Sequence, residues 1–349
     1  MTEPEASARR ASLTYVWDEE PGIRRKRAGR ELFYVNAKGK RITDPAEIDR
    51  IDAIVIPPAW TDVWISPDPE GHIQATGRDD RGRKQYRYHP RWTAFRDEAK
   101  YATLADFART LPKLRERVDA DLRKREVPRK RVVASIVWLL DNTMIRVGNS
   151  AYARDNKSFG LTTLKTKHLE IEGAKLRFEF KGKSGKEWRL QLTDRRLARV
   201  MRTIQDLPGQ RLFQYVNGDG VRRAVTSQDV NDYIREATGA DFTSKHFRTW
   251  GGTISAAALF EQTPVPDSQR GKAREMNAVI DKVAARLGNT RAVCRQCYIH
   301  PAVMDSWSAG TLPEEMKSVR RSVRKPFAGL DLEETIVLKW LIRFQKTKS

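Results

Sequence analysis

The sequence predicts an α+β protein, with a small, mainly β N-terminal domain ahead of a larger, mainly helical domain that carries a β-hairpin insert. Three observations predict this. Between residues 13 and 75 the apolar residues fall in short runs broken by proline, glycine and asparagine turns. From about residue 90 the apolar spacing changes to three and four, over 91–123 and 131–146, as a helix face requires. Two strictly alternating runs, Lys175–Phe180 and Glu187–Leu192, then flank the polar turn Lys181-Gly182-Lys183-Ser184-Gly185-Lys186.

Taken in order, residues 1–12 are charged and read as a disordered leader. Residues 13–92 form the β-rich domain. Within it, Leu32–Val35 is a strand before the turn Asn36-Ala37-Lys38-Gly39, and Ile54-Val55-Ile56 is a strand stopped by Pro57-Pro58. Val63–Ile65 and His72–Ala75 flank a Pro-Asp-Pro-Glu-Gly turn. The domain boundary falls near 90–96, so residues 93–349 are the helical domain. In its hairpin, Leu176, Phe178 and Phe180 share a face with Trp188, Leu190 and Leu192. Asp194, Ser227 and Thr243 are the expected N-caps of later helices. A helix from about Ala273 to Leu287 ends at Gly288 and restarts after Asn289-Thr290. Asp331 with Glu334 makes a capping-box start for a last helix to Phe344.

Lys and Arg total 66 against 45 Asp and Glu, a net charge of +21, so the expected partner is a polyanion. The positive charge recurs between folded segments (Arg24–Arg27, Arg78–Arg91, Lys113–Arg131), which argues against a merely basic tail. No run of eighteen apolar residues is present and the N-terminus lacks a signal-peptide pattern. The expected location is the cytoplasm, with the nucleoid, or the nucleus if the source is a eukaryote. Cys294 and Cys297 are the only cysteines. With His300 they offer three ligand types, but structural zinc sites bring a second pair, so reduced thiols and no metal are expected.

Two arginines, a lysine and a tyrosine constitute a phosphoryl-transfer set that requires neither metal nor nucleotide. Candidates are Arg146, Arg248 in Lys245-His246-Phe247-Arg248, Lys183 in the hairpin turn, and Tyr298 in Cys297-Tyr298-Ile299-His300. A tyrosine oxygen attacking a phosphodiester builds negative charge on the non-bridging oxygens, and fixed guanidinium forks stabilise that charge. A lysine protonates the leaving oxygen. Lys181 and Lys186 share the turn and compete with Lys183 for this role. Asn289 suits a hydrogen bond to a phosphate oxygen, and suits a helix cap equally well. In the N-terminal domain, Arg81-Gly82-Arg83-Lys84-Gln85-Tyr86-Arg87-Tyr88-His89 interleaves cations with aromatics, which suits either groove binding or a basic strand edge.

These residues resemble the type IB DNA topoisomerases of the small, poxvirus-like kind found in bacteria. Four segments carry the resemblance: Lys84–Tyr88; Ile145-Arg146-Val147-Gly148 with Tyr152 and Phe159–His168; Phe180–Lys183; and Lys245–Trp250 with Asn289 and Tyr298. The resemblance implies Tyr298 as nucleophile, Arg146 and Arg248 as phosphate clamps and Lys183 as general acid. It places Asn289 where the family often has histidine. It implies DNA contacts at Gln85, Tyr86, Tyr88, Tyr152 and Lys245, with Arg83, Lys84 and Arg87 beside them. Arg87 stands where the viral pattern has an aromatic, so a viral target sequence is not expected. The implied fold is a C-shaped clamp on duplex DNA. The implied enzyme is a monomer acting without ATP, metal or other cofactor. A tyrosine recombinase is the nearest alternative, although recombinases carry His-x-x-Arg where this chain has Lys245-x-x-Arg248, and His or Trp where it has Asn289. A non-catalytic DNA-binding protein is the other alternative.

Overall fold

The computed structural model describes residues 3–29, 31–124 and 128–348. The chain divides into two compact units, residues 1–102 and 103–349.

The first unit contains α1 (Glu3–Arg10), β1 (Ile23–Ala28), β2 (Glu31–Val35), α2 (Pro45–Ala53), β3 (Thr61–Ile65), β4 (Ile73–Arg78), β5 (Lys84–Tyr88) and α3 (Pro90–Ala102). Its strands form one antiparallel sheet in the order β2-β1-β3-β4-β5, so β5 is an edge. Ile23, Val63, Ile65 and Ala75 from the sheet and Ile51 from α2 make its core.

Three expectations are corrected in this unit. Residues 3–10 are a helix, not a disordered leader: Ala8 and Leu13 are buried against Trp92 of α3. That same packing draws α3 into the first unit, so the boundary lies at 102/103 rather than 92/93. The stretch 54–56 is not a strand; α2 precedes it, with the Asp44 side chain accepting from the Ala46 amide and Pro45 opening the helix.

The second unit opens with α4 (Leu104–Leu122), α5 (Arg129–Thr143) and α6 (Ser150–Asn156). Next come β6 (Leu169–Glu172), β7 (Lys175–Lys181), β8 (Glu187–Thr193), α7 (Arg195–Gln205), β9 (Gln214–Val216) and β10 (Arg222–Ala224). The expected hairpin is β7–β8, extended by β6 to three strands. Its register pairs Leu176 with Leu192, Phe178 with Leu190 and Phe180 with Trp188, and the β7 members of these pairs are buried. The remaining helices are α8 (Ser227–Thr238), α9 (Ser244–Glu261), α10 (Gln269–Leu287), α11 (Arg291–Cys297), α12 (Pro301–Ser308), α13 (Leu312–Ser322) and α14 (Leu332–Lys348). Asp194 caps α7 and Thr243 stands at the N-cap of α9, as expected, whereas α8 is capped by Thr226 rather than Ser227. The Asp331–Glu334 capping box forms reciprocally, at 2.8 and 3.0 Å.

Helix α14 packs on α4, α9 and α13, and a charged cluster fastens it. Arg115 of α4 donates to both carboxylate oxygens of Glu334 at 2.7 Å, to Asp141 at 2.7 and 3.0 Å, and to the Gly329 carbonyl at 2.7 Å. Trp250 Nε1 donates to Glu334 as well, at 3.2 Å. Burial pushes the Glu334 carboxyl up, but the bonds and charge of Arg115, together with the Asp331 amide and Trp250, outweigh it and hold the carboxyl below its ordinary value of 4.5. The depressed value means that this stabilisation is complete above the ordinary value and is lost as pH falls through the depressed one. Arg115→Met, which strands two carboxylates, is expected to destabilise the protein by about 3 kcal/mol, read as a lower urea midpoint at pH 7. A midpoint matching wild type would show the cluster to be energetically idle.

Candidate active site

Helix α5 ends at Met144 in the left-handed region, and the chain turns so that Arg146 follows two residues later. The strip 146–148 is held by the segment after α6: the amides of Leu161 and Thr162 donate to the Arg146 and Val147 carbonyls at 2.9 and 2.8 Å. The Gly-Leu-Thr-Thr stretch is therefore the backbone support of Arg146.

Arg248 lies in the second turn of α9 and is 3% exposed. Its Nη1 donates to the Met144 carbonyl and its Nη2 to the Leu287 carbonyl at 2.8 Å. Burial pushes its pKa below the ordinary arginine value, with Tyr298 opposing the shift, and a guanidinium stays charged across this range. One helical turn further on, Gly252 lets the backbone of Tyr298 lie against α9, since a side-chain carbon there would collide with the Tyr298 carbonyl. Thr253 Oγ1 accepts from the His300 amide at 3.1 Å. One face of α9 thus fixes residues 298–300, and the Tyr298 ring sits with the Arg248 guanidinium 4.8 Å from its centroid.

Helix α10 ends at Gly288 (φ 60°) in a Schellman turn, with the Gly288 amide on the Ala285 carbonyl and the Asn289 amide on that of Ala284. Arg146 Nη1 donates to the Gly288 carbonyl at 3.3 Å and its Nη2 to Asn289 Oδ1. Lys186 Nζ donates to the Asn289 carbonyl at 2.8 Å. That bond commits Lys186 to the backbone, while Lys183 remains exposed at the tip of the turn. Lys181 is also exposed, and its carbonyl accepts from the Phe159 amide at 2.7 Å.

A cleft of about 530 Å³ is lined by Arg146, Lys183, Lys245, Arg248 and Tyr298 together with Gly148, Asn149 and Ser158–Gly160. Four of the five residues expected to act on a phosphate share this cleft. The fifth, Asn289, stands behind Arg146 and orients it. Two buried donors in this cluster, Arg248 Nε and Asn289 Nδ2, have no hydrogen-bond partner among the described residues. Donors withheld in this way fit an anion that supplies the missing acceptors. A larger cleft, about 900 Å³, opens beside Arg115, Asp141 and Glu334, but there the charges neutralise one another. The smaller cleft has the exposed Lys183 and Lys245 among its lining cations and no carboxylate among the described residues that line it.

Tyr152 lies in α6, and its side chain is outside the described residues. The residues of β5 divide by strand alternation. Arg83 and Gln85 are both anchored on Asp79 Oδ2, at 2.8 and 2.9 Å. The Arg83 hydrogen bond is the chief cause of the Asp79 carboxyl being lowered to about 2. Lys84 pairs with Asp18 at 2.6 Å. Arg87 donates to the Val55 carbonyl at 2.8 Å and lies over Trp60. Tyr86 and Tyr88 remain as an exposed, nearly parallel pair with ring centroids 5.8 Å apart. Sequence reasoning missed Asp18 and Gly252, whereas Asp79 among Arg78, Arg81 and Arg83 reads as an ion-paired loop, as its pair with Arg83 at 2.6 Å bears out.

Cys294 is buried in α11, and burial pushes its thiol up to about 11. His300 Nδ1 accepts from the Ala302 amide as a helix cap. Among the described residues no group of three or more His, Cys, Asp or Glu side chains gathers as metal ligands. Among them, too, no helix is long and apolar enough to cross a membrane. Gly288→Ala would strain a left-handed position and drive a methyl group to 2.7 Å from Trp188 Cζ2. It is expected to cost about 1–2 kcal/mol, measurable by urea unfolding; an unchanged midpoint would contradict the packing described.

Two family models and several known proteins match the chain. Residues 89–324 match the family model for the eukaryotic DNA topoisomerase I catalytic core, and residues 31–79 match that for the bacterial DNA topoisomerase IB N-terminal domain. DNA topoisomerase 1B of Acanthamoeba polyphaga mimivirus is 32% identical over 285 residues, covering 80% of this chain and 85% of that protein. DNA topoisomerase 1B of Vaccinia virus (strain Copenhagen) is 22% identical over 295 residues, 79% of this chain and 89% of the relative. DNA topoisomerase 1 of Rabbit fibroma virus (strain Kasza) is 23% identical over 235 residues, 66% and 70% of the two chains. With one model spanning the cleft residues and the other the N-terminal sheet, the chain belongs to the type IB DNA topoisomerase family.

Proposed function

We propose that this enzyme relaxes supercoiled duplex DNA through a transient 3′-phosphotyrosyl bond formed at Tyr298. The observation that carries this reading is the single cleft shared by Arg146, Lys183, Arg248 and Tyr298. The Tyr298 phenol gives its proton to water, and its oxygen attacks the phosphorus. The bond from phosphorus to the deoxyribose 5′-oxygen breaks, and Lys183 supplies the proton that lets this oxygen leave as a hydroxyl. Arg146 and Arg248 hold the non-bridging oxygens, and Asn289 keeps Arg146 aimed and offers its free Nδ2 as a further donor. The nicked duplex swivels about the intact strand. The 5′-hydroxyl then attacks the phosphotyrosine and the steps reverse. Bond energy is conserved throughout, so the cycle runs without ATP or a metal ion.

Lys183 is favoured over Lys186 as the acid because Lys186 Nζ is engaged at Asn289, and over Lys181 because Lys183 lines the cleft. We assign the Tyr86–Tyr88 pair and Lys245 to contact with the duplex. Arg83, Lys84, Gln85 and Arg87, each tied to an internal acceptor, serve chiefly to shape the edge strand that presents the tyrosines. The enzyme acts as a monomer at the nucleoid. Neither family match and none of these three relatives is a recombinase.

Wild type is expected to relax both positively and negatively supercoiled plasmid in EDTA without ATP, and Tyr298→Phe to bind DNA without relaxing it. A wild-type protein inactive at every salt concentration would overturn the reading. Relaxation at limiting enzyme should weaken steeply as salt rises, because phosphate contacts release counterions. Arg248→Ala is expected to lower the single-turnover cleavage rate by roughly 100-fold or more, the scale set by losing one preorganised donor to developing charge. A loss below threefold would remove Arg248 from the reaction.

A further inference from the structure

Trp188 has no part in the reaction above, yet it stands between two of its components. Its half-buried indole stacks on Phe180, with centroids 6.1 Å apart and planes 4° apart. It fills the space between the glycine of the lysine turn and the glycine that ends α10. A side-chain carbon at Gly182 would lie 2.7 Å from its Nε1, and one at Gly288 would lie 2.7 Å from its Cζ2. Indole thus replaces a side chain on both sides at once. Beside it, Lys186 Nζ reaches the Asn289 carbonyl at 2.8 Å. The turn between them is closed on itself: the Gly182 amide donates to the Lys186 carbonyl at 2.7 Å and the Gly185 amide to that of Gly182 at 3.1 Å.

The turn needs such a dock. Lys183 is exposed on a short turn between two strands, and a proton donor must come within about 3 Å of the leaving oxygen. Displacement by about 1 Å can cost about 100-fold in rate. The α10 terminus is the right anchor, since the same residues fix Arg146 and Arg248, and with them the phosphate.

We propose that Trp188 and Lys186 are positioning residues that dock the Lys183 turn onto the Gly288–Asn289 terminus and so set the general acid against the leaving 5′-oxygen. The proposal rests on the topoisomerase reading and on Lys183 as its acid. It predicts that loss of either residue impairs protonation of the leaving group and leaves phosphate binding and nucleophilic attack intact.

The test is single-turnover cleavage of two suicide duplexes, one with the natural 5′-oxygen at the scissile phosphate and one with a bridging 5′-sulfur, whose thiolate leaves without a proton. On the oxygen duplex, Trp188→Ala is expected to be slower than wild type by roughly 10–100-fold and Lys186→Met by about 3–10-fold. On the sulfur duplex both should come within about threefold of wild type, as should Lys183→Ala, because no proton transfer remains to be misplaced. Trp188→Phe, which keeps a ring over Gly288, should fall between wild type and Trp188→Ala. Lys186→Met guards against a folding artefact, because it changes an exposed side chain and leaves the stacked indole in place. Equal losses on both duplexes, no loss on the oxygen duplex, or a Lys183→Ala defect that sulfur does not relieve would each overturn the proposal. Wild type cleaving neither duplex would be a different result, the failure of the topoisomerase reading itself.

Discussion

Three consecutive carbonyls at the end of α10 hold the cleft together. Leu287 accepts from Arg248, Gly288 from Arg146 and Asn289 from Lys186. A helix C-terminus leaves its last carbonyls without intrahelical partners and carries partial negative charge, so it attracts cations. Here it recruits them from α9, from the strip after α5 and from the β7–β8 turn, segments that are remote in sequence. The Schellman turn at Gly288 makes this possible by satisfying the earlier carbonyls internally and pointing the chain back toward the tyrosine helix α11.

This arrangement separates positioning from reaction. Each guanidinium uses part of its donor set on a backbone carbonyl, which is neutral and cannot cancel its charge. Carboxylates do the opposite at Arg115, where two of them quench a cation whose role is to fasten α14. The difference explains why the larger, charged cleft beside Arg115 is structural while the smaller one suits a phosphate.

Much of the cleft was legible in the sequence, because each of its candidate residues sits in a local context with its own signal. Tyr298 follows a helix stop and restart, Lys183 lies in a turn between alternating runs, and Arg248 follows the N-cap Thr243. What remained hidden depends on contacts between distant segments. Helix α1 looks like a solvated leader until Trp92 covers Ala8, and the same contact moves the boundary past α3. The sequence leaves Lys181 and Lys186 as competitors of Lys183, and only the structure shows Lys186 engaged at the Asn289 carbonyl. In and beside β5 the cations appeared available, but Lys84 is held by Asp18, Arg83 by Asp79 and Arg87 by the Val55 carbonyl. Helix α2 did carry a readable signal, the Asp44-Pro45 start, but the short apolar run after it read as a strand.

The most direct test of the central claim is to trap the covalent complex on a suicide duplex, digest it with trypsin and locate the adduct by mass spectrometry. The account predicts a 3′-linked deoxynucleotide on Tyr298, in the peptide that begins at Gln296 after Arg295. An adduct on any other residue, or one joined through a 5′-phosphate, would contradict it.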